Sequence, residues 1–256
     1  MTPSKTHLVL IPSYNPGDKG VETVRGAREF WAPVWVVTDG STDGSAEKLQ
    51  TLAASDPHIR VFVRARNGGK GAAVLDGLIE AERAGFTHAL TMDSDGQHPA
   101  HCISEFMAAS SAARQAMVLG VPVFDASAPA IRVRGRKISN WVANVETLGG
   151  GIQDVLFGFR VYPILPLLNI MRHTRWMRRF DFDAEAVVRL SWKGVPAINR
   201  AAPVRYFSPG EGGVSHFNYW RDNVLLTSMY LRLALGLLLR MPVLLTRRLF
   251  RSLPHL

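Results

Sequence analysis

Two aspartates close an apolar segment near the middle of the chain. Residues 87–92 read THALTM and run directly into Asp93, with Asp95 two positions later. A carboxylate that is removed from water needs a hydrogen bond, a counter-charge or a metal. Because residues i and i+2 of an extended chain point to the same side, these two carboxylates would repel each other without a cation between them.

The ligand atoms available at this position are oxygens. The two carboxylates and the amide oxygen of Gln97 suit a hard divalent cation such as Mg²⁺ or Mn²⁺. Such ions neutralise diphosphates and improve them as leaving groups. We therefore predict Asp93, Asp95 and Gln97 as metal ligands. The alternative is a strand-end turn whose acids cap the helix that begins near Pro99, and His98 suits either a ligand or a turn position.

Four apolar segments in the first half of the chain end in polar turns. Strands are predicted at residues 7–11, 34–39, 59–65 and 87–92, and helical patterns such as residues 71–85 separate them. Continuous apolar strands that alternate with helices indicate a parallel sheet covered on both faces. Ligands bind beyond the carboxyl ends of such strands. The turns PSYNPG, DGSTDGS, RNGGKG and DSDGQHP should therefore meet at one edge.

The turn RNGGKG offers an anion-binding element. Its glycines allow close approach of the backbone to a ligand, and the helix after it presents its N-terminus to an anion. Lys70 stands where it could meet a phosphate, although an ordinary glycine-rich helix start is the alternative. The P-loop spacing is absent here, and G-x-G-x-x-G is absent after the first strand. These absences disfavour P-loop enzymes and Rossmann dehydrogenases.

The first two turns carry candidates for recognition of a base. Asp39 closes the second strand, where it could accept from the imide N–H of uracil or the amino group of guanine, or simply cap the turn. Tyr14 and Asn15 follow the first strand, and an aromatic ring there could stack on a base.

The second half of the chain is less regular. Residues 116–121 predict a strand, residues 154–163 a strand or a turn, residues 181–194 a helix, and residues 195–207 a pair of strands. The tail from residue 220 to 253 is mostly helical by pattern. We expect Pro242 to divide it into two helices.

Positive charge is unevenly distributed along the chain. The formal net charge is +9, with basic clusters at residues 132–137 and 172–179. Such clusters are either ordinary solvated surface or sites for a polyanion such as nucleic acid, phosphorylated lipid or an anionic membrane. Arg232 and Arg240 interrupt the tail too much for easy membrane spanning. We predict basic amphipathic helices at a membrane interface, with snorkelling arginines, rather than packing on the domain.

Length and composition suit one large domain with an appendage. The chain has 256 residues, of which 47% are hydrophobic, enough for a substantial core. The single cysteine, Cys102, cannot form an internal disulfide, which indicates a reducing compartment. No secretory signal is evident in the first residues, and no apolar run reaches the roughly 18 residues of a spanning helix.

The order of these motifs resembles the family 2 glycosyltransferases with the GT-A fold. The segments GFRVYP at 158–163 and FDFDAEAVVRLSWKG at 180–194 resemble later motifs of that family. Within it, residues 6–216 are most similar to the dolichyl- or polyprenyl-phosphate sugar synthases. The resemblance implies an α/β, Rossmann-like GT-A fold with a mostly parallel central sheet flanked by helices. We divide the chain into this domain, 1–217, and an amphipathic helical tail, 218–256.

The resemblance also implies roles for individual residues. Asp39 would bind the base, Lys70 would face the nucleotide, and the D-x-D-x-Q residues would hold the metal. Arginines 132, 134 and 136 would meet phosphates of donor or acceptor. The implied donor-binding residues are Pro12, Tyr14, Asn15, Asp39, Lys70, Asp93, Arg132, Arg136 and His216. The implied catalytic residues are Asp183 and Asp95.

The chain departs from the family pattern at two places. Thr38 replaces the first of two acids before GS. The final R-x-x-G-x-S-K of many synthases is GEGGVSHFNYWRD here, so that His216 replaces the lysine and no arginine occupies the first position. We expect His216 to contact the diphosphate. The second departure makes a lipid hydroxyl a credible acceptor beside a lipid phosphate.

The nature of the acceptor decides whether a base is needed. A phosphate oxygen is already anionic, whereas a hydroxyl needs a general base during in-line displacement. Asp183 is the candidate, with Asp181 and Glu185 nearby. These three acids would share a face only on an extended chain and would splay on a helix. Capping of the helix is the alternative role for Asp183.

We therefore predict an inverting, metal-dependent glycosyltransferase. It would move a sugar from a UDP- or GDP-sugar to polyprenyl phosphate or another membrane lipid, with Mg²⁺ or Mn²⁺ as cofactor. The main alternative is transfer to a lipid or polysaccharide hydroxyl with Asp183 as base. A nucleotidyltransferase is disfavoured because PSYNPG is not its G-x-G loop. A non-catalytic nucleotide-sugar scaffold at the membrane would tolerate Asp95→Asn.

The expected partners follow from this prediction. They are a nucleotide-sugar, a lipid acceptor and an anionic membrane surface, and we expect no nucleic-acid partner. The expected location is cytoplasmic, peripheral on the inner face of the cytoplasmic membrane.

Overall fold

Seven strands form one sheet in the computed structural model, which describes residues 2–124, 130–204 and 219–252. The strands are β1 (His7–Ser13), β2 (Val34–Asp39), β3 (Ile59–Arg64), β4 (His88–Thr91), β5 (Met117–Phe124), β6 (Arg160–Pro163) and β7 (Ala197–Val204). The helices of the described residues are α1 (Asp18–Phe30), α2 (Ser45–Ser55), α3 (Lys70–Arg83), α4 (Ile103–Ala112), α5 (Ala130–Glu146), α6 (Ile164–Arg172), α7 (Asp181–Trp192) and α8 (Tyr219–Ser252), with a 3-10 turn at Ala100–Cys102.

The sheet is mostly parallel, as predicted, with the order β3-β2-β1-β4-β6-β5-β7. Strand β6 alone runs antiparallel to its neighbours β4 and β5 among the described strands. Its first residue, Arg160, pairs with Thr91 at the end of β4. Reversal of β6 therefore delivers the segment before it to the carboxyl edge of the sheet, where the sequence predicts ligand binding.

Alternating residues of the central strand divide the apolar core into two layers. Leu8 and Leu10 of β1 face the layer that contains α3, α6, α7 and α8. Val9 and Ile11 face the layer that contains α1 and α4. Helix α3 lies close to the sheet because Gly77 carries no side chain, and a Cβ there would lie 2.4 Å from a methyl carbon of Leu10. Continuous apolar strands are the result of burial on both faces.

Two predicted details of the second half are wrong. The described part of the predicted strand pair at 195–207 is a single strand, because β7 runs through Ala197–Val204 beside β5. Helix α8 continues through Pro242 rather than ending there. An interior proline costs about 3 kcal/mol, but Leu237, Met241 and Leu244 on both sides of it pack against the core. Tertiary packing therefore maintains one helix.

Three arginines of α8 contact α7. Arg232 bonds the buried Glu185 of α7 at 2.8 Å, Arg247 donates to the carbonyl of Trp192 at 2.8 Å, and Arg240 lies over the Trp192 ring. Arg232 therefore pairs with a buried carboxylate of α7 instead of snorkelling, whereas Arg240 and Arg247 are exposed. The exposed face is largely apolar: Trp220, Val224, Leu231, Leu235, Leu238, Leu239, Val243 and Leu245.

Part of α8 is apolar enough to cross a membrane. By length and composition, Trp220–Arg247 meets this condition, because an 18-residue window within it has a mean hydropathy of 1.6, so the arginines do not exclude spanning on composition alone. The helix nevertheless packs on the domain, since Met229, Leu233 and Leu237 are buried in the same core layer as α3 and α7.

Two stacked histidines lie at the amino-terminal edge of the sheet. The rings of His7 and His88 are 4.4 Å apart and nearly parallel. His7 bonds Ser110 at 3.1 Å, and His88 bonds the carbonyl oxygen of Arg114 at 2.8 Å. Burial, together with His88 and Arg114, lowers the pKa of His7 to about 4. Burial also lowers the pKa of His88. The folded pair is therefore neutral at physiological pH.

This pair should make the fold sensitive to acid. The pKa of His7 falls from 6.5 to about 4 on folding, so the unfolded chain binds more protons than the folded chain within that window. We expect the free energy of unfolding to fall as the pH decreases from about 6.5 toward 4. Urea unfolding at several pH values should show a weaker pH dependence in His7→Gln. The exposed His101 provides the control variant His101→Gln, and equal slopes in both variants would contradict this explanation.

Candidate active site

A cavity of about 470 Å³ lies at the carboxyl edge of the sheet. The ends of β1, β2 and β4 border it, together with the starts of α3 and α7. The sequence-predicted residues that line it are Pro12, Tyr14, Asp39, Lys70, Asp93, Asp95, Gln97 and Asp183. Residues from turns far apart in the sequence thus meet at one edge of the sheet.

Other predicted residues lie elsewhere. Asn15 ties the first turn to the second, because its side-chain oxygen accepts from the backbone N–H of Thr42 at 2.7 Å. Arg136 pairs with the buried Asp154 at 2.7 Å and does not line the cavity. Arg132 lies in α5, and its side chain is outside the described part of the structure, as is the whole of His216.

The ammonium group of Lys70 lies between two carboxylates at the floor of the cavity. It is 2.6 Å from Asp93 at the end of β4 and 2.7 Å from Asp183 in the first turn of α7. Burial alone would lower the pKa of Lys70, but Asp183 and Asp93 outweigh this effect and raise the pKa. Lys70 therefore provides a permanent positive charge between acids that would otherwise repel each other.

The carboxyl groups of Asp93, Asp183 and Asp95 have pKa values that are shifted in different directions. Burial would raise the pKa of Asp93, but Lys70 and His98 lower it. Burial raises the pKa of Asp183 against the opposing effect of Lys70. Burial and the nearby Asp93 raise the pKa of Asp95 to about 6. Asp95 thus experiences the repulsion that the D-x-D spacing implies.

His98 holds the turn that carries these acids. Its Nδ1 accepts the backbone N–H of Asp93 at 2.9 Å, and its ring stands edge-on to Phe157. Burial lowers the pKa of His98 to about 4, although Asp93 opposes this shift. Neutral His98 therefore acts in the turn, which was one of the two roles expected for it.

Asp39 anchors the glycine-rich turn. One carboxylate oxygen accepts the backbone N–H of Gly68 at 2.9 Å, and the other accepts that of Gly69 at 2.7 Å. Arg64, at the end of β3, donates to the same carboxylate and also bonds Asp76 of α3 at 2.7 Å. The buried acid that the resemblance assigns to base binding therefore also fixes the loop that leads to Lys70.

The segment before β6 forms a wall of the site at close range. A Cβ on Gly158 would lie 2.6 Å from Nζ of Lys70 and 3.1 Å from a carboxylate oxygen of Asp93. Behind it, the fully buried Arg160 donates to the hydroxyl of Tyr162 at 3.0 Å and to the backbone carbonyl of Asp183. Only a glycine leaves room for the ion pair at this position.

Comparison with known proteins agrees with this arrangement. The family model "Glycosyl transferase family 2" matches residues 8–183, well over half of the chain. The chain belongs to glycosyl transferase family 2.

Curated relatives of this glycosyltransferase include lipid-phosphate enzymes. It is 30% identical over 176 residues to polyprenol monophosphomannose synthase of Mycolicibacterium smegmatis, with 62% of each chain covered. It is 28% identical over 160 residues to undecaprenyl-phosphate mannosyltransferase of Micrococcus luteus, covering 60% of this chain and 65% of that one. The match thus spans less than two thirds of the length of either relative.

Solved structures confirm the predicted fold of the glycosyltransferase. Glucosyl-3-phosphoglycerate synthase from Mycobacterium tuberculosis, in complex with Mn²⁺ and UDP-glucose, superposes with a TM-score of 0.59 at 16% identity, covering 93% of this chain and 79% of that one. Mannosyltransferase PcManGT from Pyrobaculum calidifontis, in complex with GDP-mannose and Mn²⁺, gives 0.57 at 18% identity, with 82% and 61% covered.

The cavity of the glycosyltransferase contains the three residues predicted as metal ligands. Asp93, Asp95 and Gln97 all line it and supply only oxygen donors, the type that Mg²⁺ and Mn²⁺ prefer. Within the described ranges, no group of three or more His, Cys, Asp and Glu side chains is placed to hold a metal. The predicted set contains two acids and one amide, so a bound ion would need further oxygens from a substrate.

Sequence reasoning missed four residues whose charge or size shapes the site. Arg64 lies two positions before the glycine-rich turn, and Gly158 begins the GFRVYP segment, so both stood beside recognised motifs. Arg179 closes the basic cluster at 172–179, and Arg221 lies in α8. No local pattern distinguishes the last two from other surface arginines, because their position at the cavity results from tertiary packing.

Gly158→Ala should impair the glycosyltransferase without unfolding it. The added methyl group would displace Lys70 or Asp93, since neither contact distance is normal for a Cβ. We expect the turnover rate to fall by about tenfold or more, because the ion pair positions reacting groups. The matched control is Gly135→Ala, where a Cβ meets nothing within 4 Å. Equal turnover in the two variants, with unchanged melting temperatures, would refute the steric argument.

Proposed function

We propose that this glycosyltransferase moves a sugar, with inversion, from a UDP- or GDP-linked donor to a polyprenyl phosphate at a membrane surface. The observation that carries the proposal is the cavity in which Asp93, Asp95 and Gln97 meet Lys70 and Asp183. Two relatives named for transfer of mannose to polyprenol or undecaprenyl phosphate support the choice of acceptor.

Different side chains of the cavity would bind the base, hold the metal and stabilise charge in such a reaction. Tyr14 and Asp39 line the part that would receive the base. Asp93, Asp95 and Gln97 would hold Mg²⁺ or Mn²⁺, which neutralises the diphosphate of the donor when bound. Lys70 keeps Asp93 ionised, because its positive charge opposes the effect of burial on that carboxyl.

A hydroxyl acceptor is the second candidate, and Asp183 favours it. One oxygen of Asp183 contacts Lys70, while the other is buried without a hydrogen-bond partner among the described residues. Asp183 lines the cavity, and an unpartnered carboxylate oxygen can accept the proton of an attacking hydroxyl. A phosphate acceptor needs no such step, and Asp183 would then serve mainly to hold Lys70.

One transfer assay tests the function and separates the two acceptors. The protein is incubated with membranes, Mn²⁺ and a panel of radiolabelled nucleotide sugars, and label that enters the organic phase is measured. A sugar bound to phosphate is released by mild acid, whereas a sugar bound to a hydroxyl is retained. Absence of lipid-soluble label from every donor would reject the lipid-acceptor proposal.

Asp95→Asn should abolish both metal binding and transfer. The substitution removes one of two carboxylates from the predicted ion site, so we expect Mn²⁺ affinity and transfer rate to fall by about 100-fold or more. Mn²⁺ binding is measured by electron paramagnetic resonance and transfer by the lipid assay. The control is Asp18→Asn, which removes an exposed acid paired with Lys48. Normal transfer in Asp95→Asn would favour a different ion site.

We further propose that α8 attaches the enzyme to the membrane by lying on it. The exposed apolar face of α8 would enter the interface, while Arg232 and Arg247 hold the opposite face on the domain. This arrangement supports a peripheral location on the inner face of the cytoplasmic membrane. It also makes the tail, 218–256, a functional appendage of the domain at 1–217.

Two charges on the exposed face of α8 should release the protein from membranes. Leu231→Glu combined with Leu235→Glu replaces two exposed leucines, and we expect binding to phosphatidylglycerol vesicles to fall by about tenfold or more. Vesicle flotation measures the change. Leu165→Glu, an exposed leucine of α6, is the control. Equal flotation of both variants, or resistance of the wild type to carbonate extraction, would contradict a helix that lies on the surface.

A further inference from the structure

Arg179 is the one described cavity cation whose guanidinium has no partner. It lines the cavity from the turn that precedes α7. Lys70 is held by Asp93 and Asp183, and Arg221 pairs with Asp222 at 2.9 Å. In the described part of the chain, the Arg179 side chain makes neither a hydrogen bond nor an ion pair.

The neighbouring arginine shows the opposite arrangement. The guanidinium of Arg178 donates to the backbone carbonyls of Trp176, Met171 and Thr174 at 2.7 to 3.0 Å. Arg178 therefore stabilises the turn and has its donors occupied. The turn before α7 is thus stabilised by Arg178 without hydrogen bonds from the guanidinium of Arg179.

The backbone of Arg179 is fixed on both sides. Its N–H donates to one carboxylate oxygen of Asp181 at 2.9 Å, while the N–H of Met177 donates to the other. The carbonyl of Arg178 accepts the N–H of Ala72, in the first turn of α3, at 2.9 Å. The position of Arg179 is thus determined by the fold, and it does not depend on a side-chain partner.

The stem of Arg179 lies against the glycine-rich turn. A Cβ on Gly69 would lie 2.6 Å from Cγ of Arg179, so the two residues are in close contact. Gly69 is the N-cap of α3, and Lys70 is the first residue of that helix. A helix N-terminus favours an anion, and here the cationic side chain of Arg179 lies beside it.

The acids of the cavity have partners other than Arg179, and Asp95 accepts the backbone N–H of Gln97 at 3.0 Å. Asp93 and Asp183 share Lys70, and Asp39 is bound by Arg64 and two backbone amides. A positive charge that the protein leaves uncompensated suits an anionic ligand, and a guanidinium can bind phosphate through two parallel hydrogen bonds. We propose that Arg179 binds a phosphate group of a substrate, an assignment that rests on the proposed function. The group belongs either to the donor diphosphate or to the acceptor phosphate.

The test compares Arg179→Gln and Arg179→Lys with the control Arg175→Gln. Arg175 belongs to the same basic segment but lies over the Trp176 ring, outside the cavity lining. Binding of UDP and of GDP with Mn²⁺, and of the matching nucleosides, is measured by calorimetry. KM for polyprenyl phosphate in detergent micelles is measured in parallel. Melting temperatures establish that each variant is folded.

We expect Arg179→Gln to weaken one phosphate-dependent affinity by about tenfold or more, with partial recovery in Arg179→Lys. Weaker nucleoside diphosphate binding with unchanged nucleoside binding assigns the residue to the donor. A higher KM for polyprenyl phosphate with unchanged nucleotide binding assigns it to the acceptor. Values equal to those of Arg175→Gln in every measurement overturn the inference while leaving the function intact. A wild type that neither binds a nucleoside diphosphate nor transfers sugar overturns both.

Discussion

The position of Lys70 between Asp93 and Asp183 is the interaction on which the site depends. It joins residues 113 positions apart in the chain, from the start of α3, the end of β4 and the first turn of α7. Buried charges are costly unless they are paired closely, so both acids hold Lys70 and Lys70 holds each acid. The absent side chain of Gly158 leaves the space that this grouping needs, and neutral His98 accepts the backbone N–H of Asp93. One cation for two acids also leaves a negative balance, which increases once Asp95 ionises.

A second buried acid, Asp39, fixes the turn that carries Lys70. Asp39 receives two backbone amides and Arg64, so the loop before α3 is held by an acid at the end of β2. A substitution at Asp39 would therefore move Lys70 as well as remove any contact to a base. The two effects have different consequences. Movement of Lys70 alters the ionisation of Asp93, whereas loss of a contact to the base weakens only the binding of the nucleotide.

Local sequence could predict the location of the site but not its internal pairing. Parallel strands bring their carboxyl ends to one edge, so apolar segments followed by polar turns sufficed to place Asp39, Lys70 and Asp93 together. The antiparallel direction of β6, the continuous α8 and the partner of Arg136 all depend on contacts between distant segments. Arg136 illustrates the limit, since an arginine in a basic cluster has the same local pattern whether it meets a phosphate or a buried Asp154.

Helix α8 shows the same ambiguity on a larger scale. Arginines along one side of a helix suit water, lipid headgroups or a buried acid equally well, and only the position of Glu185 decides between them. Because α7 is helical, Asp183 and Glu185 point in different directions, the first to the cavity and the second to Arg232. Helix α7 therefore carries both Asp183, which lines the cavity, and Glu185, which holds α8 through Arg232. Rotation of α8 on the domain would have to move Glu185, and with it the backbone that fixes Asp183 opposite Lys70.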